Sequence, residues 1–311
     1  MSELTRELHR PVVKSFQRRR VVVTEIDEIW GADLVDMSFT KEKNKPYVFI
    51  LTVIDCFSKY AWAIPLKTKT ADSIVDAFET LFRERIPQKV WVDQGSEFYN
   101  SKVERLFKKH NIEMYSTFGD HKSAIVERFN RTLKNNMFKY FTENDTRKWI
   151  NVLPVLIKTY NETRHRTIKM TPIEASKKEN EEEVLLNIND VKPIKKTKPK
   201  FSTNDYVRLS VKKNTFEKGY TPNWTHEVFK IVEVLETKPN TYKIVEYDGT
   251  EVEGSFYEQE LQKTNAKDVF KLDAVLKKRT RNKKVEHLVH WYGWPKKYDE
   301  WISDERLKEL L

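Results

Sequence analysis

"VWVDQGSEF", residues 90–98, is a short apolar run that ends at an acidic residue and is followed closely by a glycine. The run predicts a buried β-strand, and Gly95 allows the chain to turn away from it. Asp93 therefore stands at the last position of a strand. An aspartate at such a turn commonly shapes the turn, but it can also hold a ligand. The two interpretations differ in whether other acidic residues converge on the same strand end.

The sequence on both sides of this strand predicts a mixed α/β domain. Residues 26–66 predict three strands, of which the last two are joined by a tight hairpin at Ser58 and Lys59. Residues 70–86 predict a helix with Thr70 as its N-cap, because apolar residues recur there at helical spacing. The further predicted elements are helices at 101–111, 123–141 and 147–165, the last bent at Pro154, and a strand at 112–117.

The C-terminal part of the chain predicts a different architecture. Residues 177–200 carry acidic and basic runs without an apolar period, which indicates a linker. Short alternating strands separated by turn residues follow up to about residue 262, and they predict a small β-barrel. A final segment from about Val269 adds further strands and ends in the short helix "DERLKELL".

The chain is strongly basic, with a formal net charge of +10 and a pI of about 9.3. This charge favours a polyanionic partner, of which nucleic acid is the most common. Lysine and arginine cluster at residues 18–20, 195–200 and 277–284. These clusters predict phosphate-contacting or nuclear-targeting segments, or equally solvated linkers and turns.

Other classes of protein are disfavoured by composition. No apolar run approaches the roughly 18 residues of a membrane-spanning helix, and the polar N-terminus does not resemble a secretory signal. The single cysteine, Cys56, excludes an internal disulfide and a multi-cysteine zinc site. We therefore expect an intracellular protein with no membrane partner and no structural zinc finger.

Three acidic residues lie on elements that one sheet and one helix can bring together. Asp33 is on the first predicted strand, Asp93 ends the fourth, and Glu127 is on the long helix. Three converging carboxylates repel one another unless a cation lies between them. Hard cations such as Mg²⁺ prefer oxygen ligands, and two of them roughly 3.5–4 Å apart support phosphoryl transfer.

The long helix has an apolar stripe and a polar face beside it. Glu127, Asn130, Arg131 and Lys134 share that polar face by their spacing of three and four residues. One acid therefore lies beside two cations. An ordinary solvent-exposed pair between Glu127 and Arg131 is the alternative interpretation of this face.

Three segments, taken in order, resemble a known family. "WGADLVDM", "VDQGSEF" and "SAIVERFNRTLK" resemble the catalytic segments of the retroviral-type integrase core, which has an RNase H-like fold, and Glu127 follows Asp93 by 34 positions, close to the family's separation. "YNETRHRTIKMTPIEA" resembles the stretch after that core, and the opening "LHRPV" with the overall layout is most similar to integrases of Maverick/Polinton elements and long-terminal-repeat retroelements.

The resemblance implies roles for individual residues. Asp33, Asp93 and Glu127 match the catalytic acids, which bind two Mg²⁺ or Mn²⁺ ions. The positions that match DNA-contacting residues are Asn130, Arg131, Lys134 and Lys122, the last in a mobile loop at 119–122. Asp36 points to the opposite face of its strand and Asp55 matches no catalytic position, so neither is assigned to the site. No cysteine precedes Cys56, so the resemblance does not extend to the family's N-terminal zinc domain.

The C-terminal modules also resemble known domains. Residues 201–263 are similar to the SH3-like barrel that follows the core in these integrases, which implies DNA contact and assembly. Residues 267–311 resemble a chromodomain, whose aromatic cage binds methylated lysine of histone tails by cation–π attraction. The matching cage positions are Phe270, Trp291 and Trp294, while Trp301 matches a core tryptophan. Core packing of the same rings is the alternative.

The sequence thus predicts five segments and one main function. The segments are an N-terminal extension (1–24), the integrase core (25–176), a linker (177–200), the SH3-like barrel (201–263) and the chromodomain (267–311). We expect a nuclear DNA integrase, a polynucleotidyl transferase that also hydrolyses phosphodiesters, acting as a homo-oligomer on double-stranded DNA and targeted by histone methylation. The alternatives are a host-recruited chromatin-binding protein that no longer joins DNA, and a plain RNase H-like nuclease.

Overall fold

The chain divides into two compact units. The computed structural model describes residues 3–13, 15–19, 21–116, 124–189, 197–211, 213, 220–265, 270–281 and 284–310. The core unit comprises residues 21–193, and the tail unit combines residues 1–20 with residues 194–311. Along the chain, the core unit is therefore inserted between two parts of the tail unit. Among the described residues, every helix is too short or too polar to cross a bilayer.

A five-stranded mixed sheet forms the centre of the core unit. Its strands are β1 (Ile29–Asp36), β2 (Phe49–Asp55), β3 (Ala61–Leu66), β4 (Lys89–Trp91) and β5 (Glu113–Tyr115). They lie in the order β3-β2-β1-β4-β5. The first three pair antiparallel, whereas β4 is parallel to both β1 and β5. This is the predicted mixed α/β layout.

Helices cover both faces of this sheet. After the tail-unit helix α1 (Glu3–Leu8), the helices of the core unit are α2 (Lys41–Asn44), α3 (Ala71–Phe82), α4 (Ser101–Lys109), α5 (Ala124–Glu143), α6 (Leu153–Glu162), α7 (Pro172–Ala175) and α8 (Glu181–Asn189). Helices α3 and α4 pack on one face through residues such as Phe78 and Phe107. Helices α5 and α6 pack on the other face through Phe129, Leu133 and Leu153. The core unit is thus a three-layer α/β/α structure.

The helix predicted from residue 70 is observed with the predicted N-cap. Thr70 is the N-cap residue of α3 and has extended backbone angles. Its hydroxyl bonds to the side chains of Thr68 and Ser73 rather than to a backbone N–H. Helix α4 has the more usual cap, because the Asn100 side chain accepts from the N–H groups of Lys102 and Val103.

Two predictions for the core unit are wrong. Pro154 does not bend a helix: it lies in the first turn of α6, where its missing N–H leaves no helical hydrogen bond unmade. The predicted linker 177–200 contains α8, whose Val184 is fully buried with Ile168 and Ala175. The glutamates of its first turn are favourable beside the positive end of a helix, so the acidic run belongs to the helix rather than to a linker.

The tail unit contains two small sheets. The tail sheet consists of β6 (Tyr206–Leu209), β7 (Phe229–Leu235), β8 (Thr241–Val245), β9 (Phe256–Tyr257) and β10 (Leu261–Lys263), in the antiparallel order β10-β6-β7-β8-β9. The terminal module consists of β11 (Leu272–Arg281), β12 (Lys284–Trp291), β13 (Glu300–Ser303) and α9 (Asp304–Leu310). These elements follow the predicted order of strands and C-terminal helix.

The N-terminal segment packs on the tail sheet. Glu7 of α1 is buried, and its carboxylate lies 3.3 Å from Nε of Arg208 and accepts a 2.8 Å hydrogen bond from the Thr264 hydroxyl. The Gln262 side chain donates to the Glu7 carbonyl, and the N–H of Asn223 donates to the carbonyl of Leu8. Residues more than 200 positions apart in sequence therefore form one hydrogen-bonded body.

Candidate active site

The pairing of β1 with β4 places two of the predicted acids side by side. The two strands are parallel, with Trp30 opposite Val90 and Gly31 opposite Trp91. Two further positions in the same register bring Asp33 level with Asp93. Both side chains are half-buried. β4 itself ends at Trp91, so the predicted place of Asp93 as the last residue of the strand is wrong by two residues. Asp93 lies just beyond the strand, next to the Asp33 carboxylate of β1 and before the turn at Gly95.

The long helix α5 contacts this pair through one buried amide. The side chain of Asn130 donates a 2.7 Å hydrogen bond from Nδ2 to Oδ2 of Asp33. The other carboxylate oxygen, Oδ1, accepts from the N–H of Leu34 at 2.8 Å. Asn130 is only 6% exposed, and its Oδ1 has no hydrogen-bond partner among the described residues. Asn130 thus fixes the orientation of the Asp33 carboxylate.

The charges around Asp33 explain its protonation behaviour. Burial raises the pKa of Asp33, and the nearby negative charge of Asp93 raises it further. The hydrogen bond from Leu34, the positive charge of Lys134 and the amide of Asn130 lower the same pKa, but burial has the larger effect. A bound cation would relieve the repulsion between these two carboxylates.

Glu127 lies on α5 three residues before Asn130, hence on the same side of the helix. Its side chain is exposed, and among the described residues no three histidine, cysteine or acidic side chains are close enough to hold a metal ion. The structure thus brings Asp33 and Asp93 together and leaves Glu127 one helical turn from the Asn130 contact.

The predicted DNA-contacting residues have different positions. Lys134 is exposed one turn along α5 from Asn130, within electrostatic range of Asp33. Arg131 is exposed next to Asn130. Lys122 and the predicted active-site loop at 119–122 lie outside the described residues.

The donor set at this strand end suits a hard divalent cation. Asp33 and Asp93 supply carboxylate oxygens, and the Asn130 carbonyl oxygen is buried without a partner. Such oxygens are the ligands that Mg²⁺ and Mn²⁺ prefer. The residues present therefore fit a divalent metal, with Glu127 as an additional carboxylate on the adjoining helix.

The two aspartates left out of the predicted site have structural roles. Asp36 is exposed and accepts a 2.7 Å hydrogen bond from the N–H of Ser38. Asp55 is fully buried at the end of β2, where it accepts from the N–H of Ser58 and lies 3.2 Å from the guanidinium of Arg85. Asp55 therefore holds the turn between β2 and β3.

A recess next to Asp93 was not foreseen from the sequence. It measures about 500 Å³ and is lined by Gln94, Tyr99, Tyr115 and Ser116. The Tyr99 hydroxyl is 2.9 Å from Oγ of Ser116. The only signal in the sequence is Tyr99, an aromatic residue shortly after β4, and such a residue is too common to predict a recess.

The predicted cage residues meet in the terminal module. The ring centroids of Phe270 and Trp294 are 4.8 Å apart, and those of Phe270 and Trp291 are 5.5 Å apart. Trp291 is 2% exposed and Trp294 5% exposed. Trp301 is half-buried, with the guanidinium of Arg279 3.9 Å from its ring centroid. The three rings form one cluster, and they are in contact with one another.

Comparison with known proteins identifies the kind of core. Residues 24–117 match the family described as Integrase core domain, and residues 261–309 match the Tudor-knot family, described as an RNA binding activity-knot of a chromodomain. A transposon-derived protein of Caenorhabditis elegans is 33% identical over 195 residues, which cover 62% of this chain and 65% of that protein. The Pro-Pol polyprotein of Feline foamy virus is 29% identical over 131 residues, which cover 42% of this chain and 11% of the polyprotein.

One solved structure is similar over most of the chain. A chain of the simian T-cell lymphotropic virus intasome in complex with a PP2A regulatory subunit covers 84% of this chain, with a TM-score of 0.59 and 16% sequence identity, and 86% of that chain is covered in turn. At this identity the likeness concerns the fold. The match over residues 24–117 and the shared fold support the prediction of a retroviral-type integrase core with an RNase H-like fold. It spans 65% of the nematode relative and a small part of the viral polyprotein.

Proposed function

We propose that this protein is the DNA integrase of a mobile element. It trims the 3′ ends of the element's DNA by hydrolysis and then joins those ends to target DNA. The observation that carries the proposal is the proximity of Asp33, within β1, to Asp93, just after β4, with Asn130 of α5 bonded to Asp33, in a core that matches the integrase family. The strongly basic composition suits a DNA substrate.

Asp33, Asp93 and Glu127 would hold two Mg²⁺ or Mn²⁺ ions. When bound, such ions lower the pKa of an attacking hydroxyl and offset the negative charge that develops on the phosphate. Supporting this proposal are the mutual repulsion of Asp33 and Asp93 and the unpartnered carbonyl oxygen of Asn130.

The other residues of the site position the substrate and the acids. Asn130 and the N–H of Leu34 hold the Asp33 carboxylate from both sides. Lys134 and Arg131 are exposed on the same face of α5, where they can contact phosphates of the DNA backbone. We propose the same role for Lys122.

A strand-transfer assay tests the proposal. Purified protein should join oligonucleotide ends to a plasmid in the presence of Mg²⁺ or Mn²⁺. We expect Glu127→Gln, Asp33→Asn and Asp93→Asn each to abolish joining, because each removes a carboxylate ligand. Asp36→Asn is the matched control, since Asp36 is an exposed acid three residues from Asp33 on the opposite strand face. Joining that survives Glu127→Gln would refute the assignment of the site.

The absence of joining by the wild-type protein would favour the second interpretation. In that case the chain is a host-recruited protein that binds DNA or chromatin without catalysis. Cleavage of the substrate without joining would instead favour a plain nuclease. Measurement of the native mass in the same preparation tests the proposed homo-oligomer.

We further propose that the terminal module directs the protein to chromatin in the nucleus. The support is the meeting of Phe270, Trp291 and Trp294 in one aromatic cluster, since aromatic rings attract a methylated ammonium group. Pull-down on methylated and unmethylated histone-tail peptides tests this proposal. Binding that is unchanged by Trp291→Ala would refute the cage.

A specific observation favours a second candidate for the same module. The ribbon of β11 and β12 carries exposed cations at Lys277, Lys278, Arg281 and Lys284, and the matching Tudor-knot family is described as RNA-binding. A two-stranded ribbon with cations on its surface can lie along a nucleic acid backbone. Loss of RNA binding on Lys277→Glu and Lys278→Glu, with peptide binding retained, would separate the two functions.

A further inference from the structure

The aromatic cluster of the terminal module is covered by Tyr247, from the turn that follows β8 of the tail sheet. Tyr247 follows β8, and its ring centroid lies 5.7 Å from that of Phe270, 5.7 Å from that of Trp294 and 6.4 Å from that of Tyr298. Tyr247 is 42% exposed, whereas Trp294 beneath it is 5% exposed. Tyr247 thus lies between the cluster and solvent.

The rings leave no room for an ammonium group. A methylated ammonium between two facing rings requires their centroids to be at least roughly 7 Å apart, which is twice the contact distance of about 3.5 Å between carbon atoms. The rings of Phe270 and Trp294 are inclined by 38° with centroids 4.8 Å apart, and the Tyr298 ring meets Trp294 nearly at right angles at 5.2 Å. Trp291 and Trp294 are only 2% and 5% exposed, so neighbouring groups already cover both rings. The cluster is therefore filled by its own side chains.

Charged groups hold the two parts together at the rim of the cluster. Lys297 of the terminal module pairs with Glu246 and, at 2.9 Å, with Asp248, the two residues that flank Tyr247. The Tyr298 hydroxyl donates to Glu246 at 3.1 Å. The ammonium of Lys297 is also 5.0 Å from the ring centroid of Tyr298. Lys297 thus occupies a position beside two carboxylates and an aromatic ring, which is the environment that a lysine of an external ligand would also require.

The terminal module also contacts the segment before β7 through a close approach of the Gly293 backbone to His226, and we call this contact region, together with that around Tyr247, the joint. Gly293 has a φ of +74°, and a Cβ placed there would lie 2.6 Å from Cβ of His226 on the tail-sheet side. The neighbouring Tyr292 ring meets the His226 ring edge to face at 4.8 Å. The contact around Tyr247 is therefore part of a larger, well-packed joint within the tail unit.

We propose that Tyr247, with the acidic pair Glu246 and Asp248, is a built-in competitor that closes the aromatic cluster against an external methylated lysine. A ligand gains access only when Tyr247 leaves the cluster and Lys297 releases the acids. This inference rests on the proposed binding of methylated lysine by the terminal module, because it concerns how access to that binding site is regulated.

The test uses the full chain and a basic peptide that carries one trimethyl-lysine, with the unmethylated peptide as reference. We expect Tyr247→Ala to bind the methylated peptide roughly tenfold more tightly than the wild type, because it removes several aromatic contacts that compete with the ligand. Lys297→Ala should act in the same direction. Tyr220→Ala, which alters a 72% exposed tyrosine of the same unit, is the matched control and should leave the affinity unchanged.

Two outcomes separate the inference from the function on which it rests. If wild type and Tyr247→Ala bind the methylated peptide equally tightly, Tyr247 does not compete with the ligand, and the proposed binding of methylated lysine still stands. If none of the proteins binds the peptide, the reading function fails, and amide hydrogen exchange then decides whether the joint opens. Exchange in residues 291–298 that is at least tenfold faster in Tyr247→Ala and Lys297→Ala supports closure by Tyr247, whereas unchanged exchange overturns it.

Discussion

Asn130 is the residue through which the long helix contacts the carboxylate of Asp33. Its amide donates to Asp33 from a nearly buried position, while the neighbouring Arg131 and Lys134 remain exposed. The same side of the helix thus carries one buried residue, which orients the Asp33 carboxylate, and two exposed cations. The proposed roles of these three residues depend on this difference in burial. Their spacing along the helix shows that they share a face, but not which of them is buried.

Replacing Asn130 with alanine should raise the pH required for activity. The Asn130 amide lowers the pKa of Asp33, so its loss lets burial raise that pKa further. The ionised Asp33 needed for metal binding is then lost at a higher pH, and the acidic limb of the pH–rate profile moves upward. A hydrogen bond to a charged group contributes about 1.5–3 kcal/mol, so strand transfer at neutral pH should fall by at least roughly tenfold.

The matched control is Asn135→Ala, an exposed asparagine on the same helix, which should leave both the profile and the rate unchanged. A profile for Asn130→Ala that coincides with the wild-type profile would show that Asn130 does not act through Asp33.

Glu227 makes the tail unit sensitive to pH. The pKa of Glu227 is raised from 4.5 to about 7, mainly by burial. The negative charges of Glu246 and Asp248 contribute to this rise, and the positive charge of Lys297 opposes it. The unfolded chain loses this proton at lower pH than the folded chain, so ionisation favours unfolding between about pH 5 and pH 7. The stability that the neutral form provides at low pH is therefore lost as the pH rises through 7.

We expect Glu227→Gln to stabilise the tail unit at pH 8, relative to the wild type, by on the order of 1 kcal/mol after allowing for solvent screening. At pH 5 the two proteins should differ little. Thermal unfolding at both pH values provides the measurement, and parallel pH dependences of the two proteins would contradict the assignment.

At the scale of elements, α8 shows how a helix can lie inside a charged segment. It begins with three glutamates and buries Val184 completely against the cluster that includes Ile168 and Ala175. Its periodic apolar signal is short, because the helix has only nine residues. Tertiary contacts rather than intrinsic periodicity stabilise such an element.

Val184→Ala should therefore destabilise the core unit by roughly 2 kcal/mol, the expected cost of deleting buried methyl groups. Leu186→Ala on the same helix is the control: Leu186 is 71% exposed, and its removal should change the free energy of unfolding by less than about 0.5 kcal/mol. Chemical denaturation of the two variants makes the comparison. Equal effects would mean that α8 does not pack on the core in solution.

At the scale of the whole molecule, the N-terminal and C-terminal segments of the chain belong to the same compact unit. The tail unit joins residues 1–20 to residues 194–311, and the core unit is connected to it at both ends. The junction includes a buried ion pair between Glu7 and Arg208, which are 5% and 1% exposed. The N-terminal segment thus packs on the C-terminal sheet as part of the same unit.

Glu7→Ala should destabilise the tail unit by about 3–5 kcal/mol, because it leaves the Arg208 guanidinium buried without its carboxylate. Glu3→Ala, an exposed glutamate of the same helix, should have little effect. Calorimetry should show the unfolding transition of the tail unit moving to lower temperature while that of the core unit stays in place. A shift of the core transition alone would contradict this division of the chain.

The sequence by itself determined the elements of the core, including β4, although that strand ends at Trp91 rather than at Asp93. Apolar periodicity located β1, α3, α4 and α5, because the pattern of a half-buried strand or helix is local. It also located Asn130 and Glu127 on one side of α5, since residues three apart share a helix face. The predicted layout allowed Asp33 and Asp93 to meet, and the resemblance of their surrounding motifs favoured this pairing.

Only the tertiary structure decided which residues meet across the chain. It placed Asn130 against Asp33, Glu7 against Arg208 and Tyr247 over the aromatic cluster. It also showed that Val184 is a core residue inside an apparently charged linker. Local patterns report that a side chain is buried, but not which partner buries it. Contacts between residues 97 or 201 positions apart depend on the packing of whole units, so no short stretch of sequence encodes them.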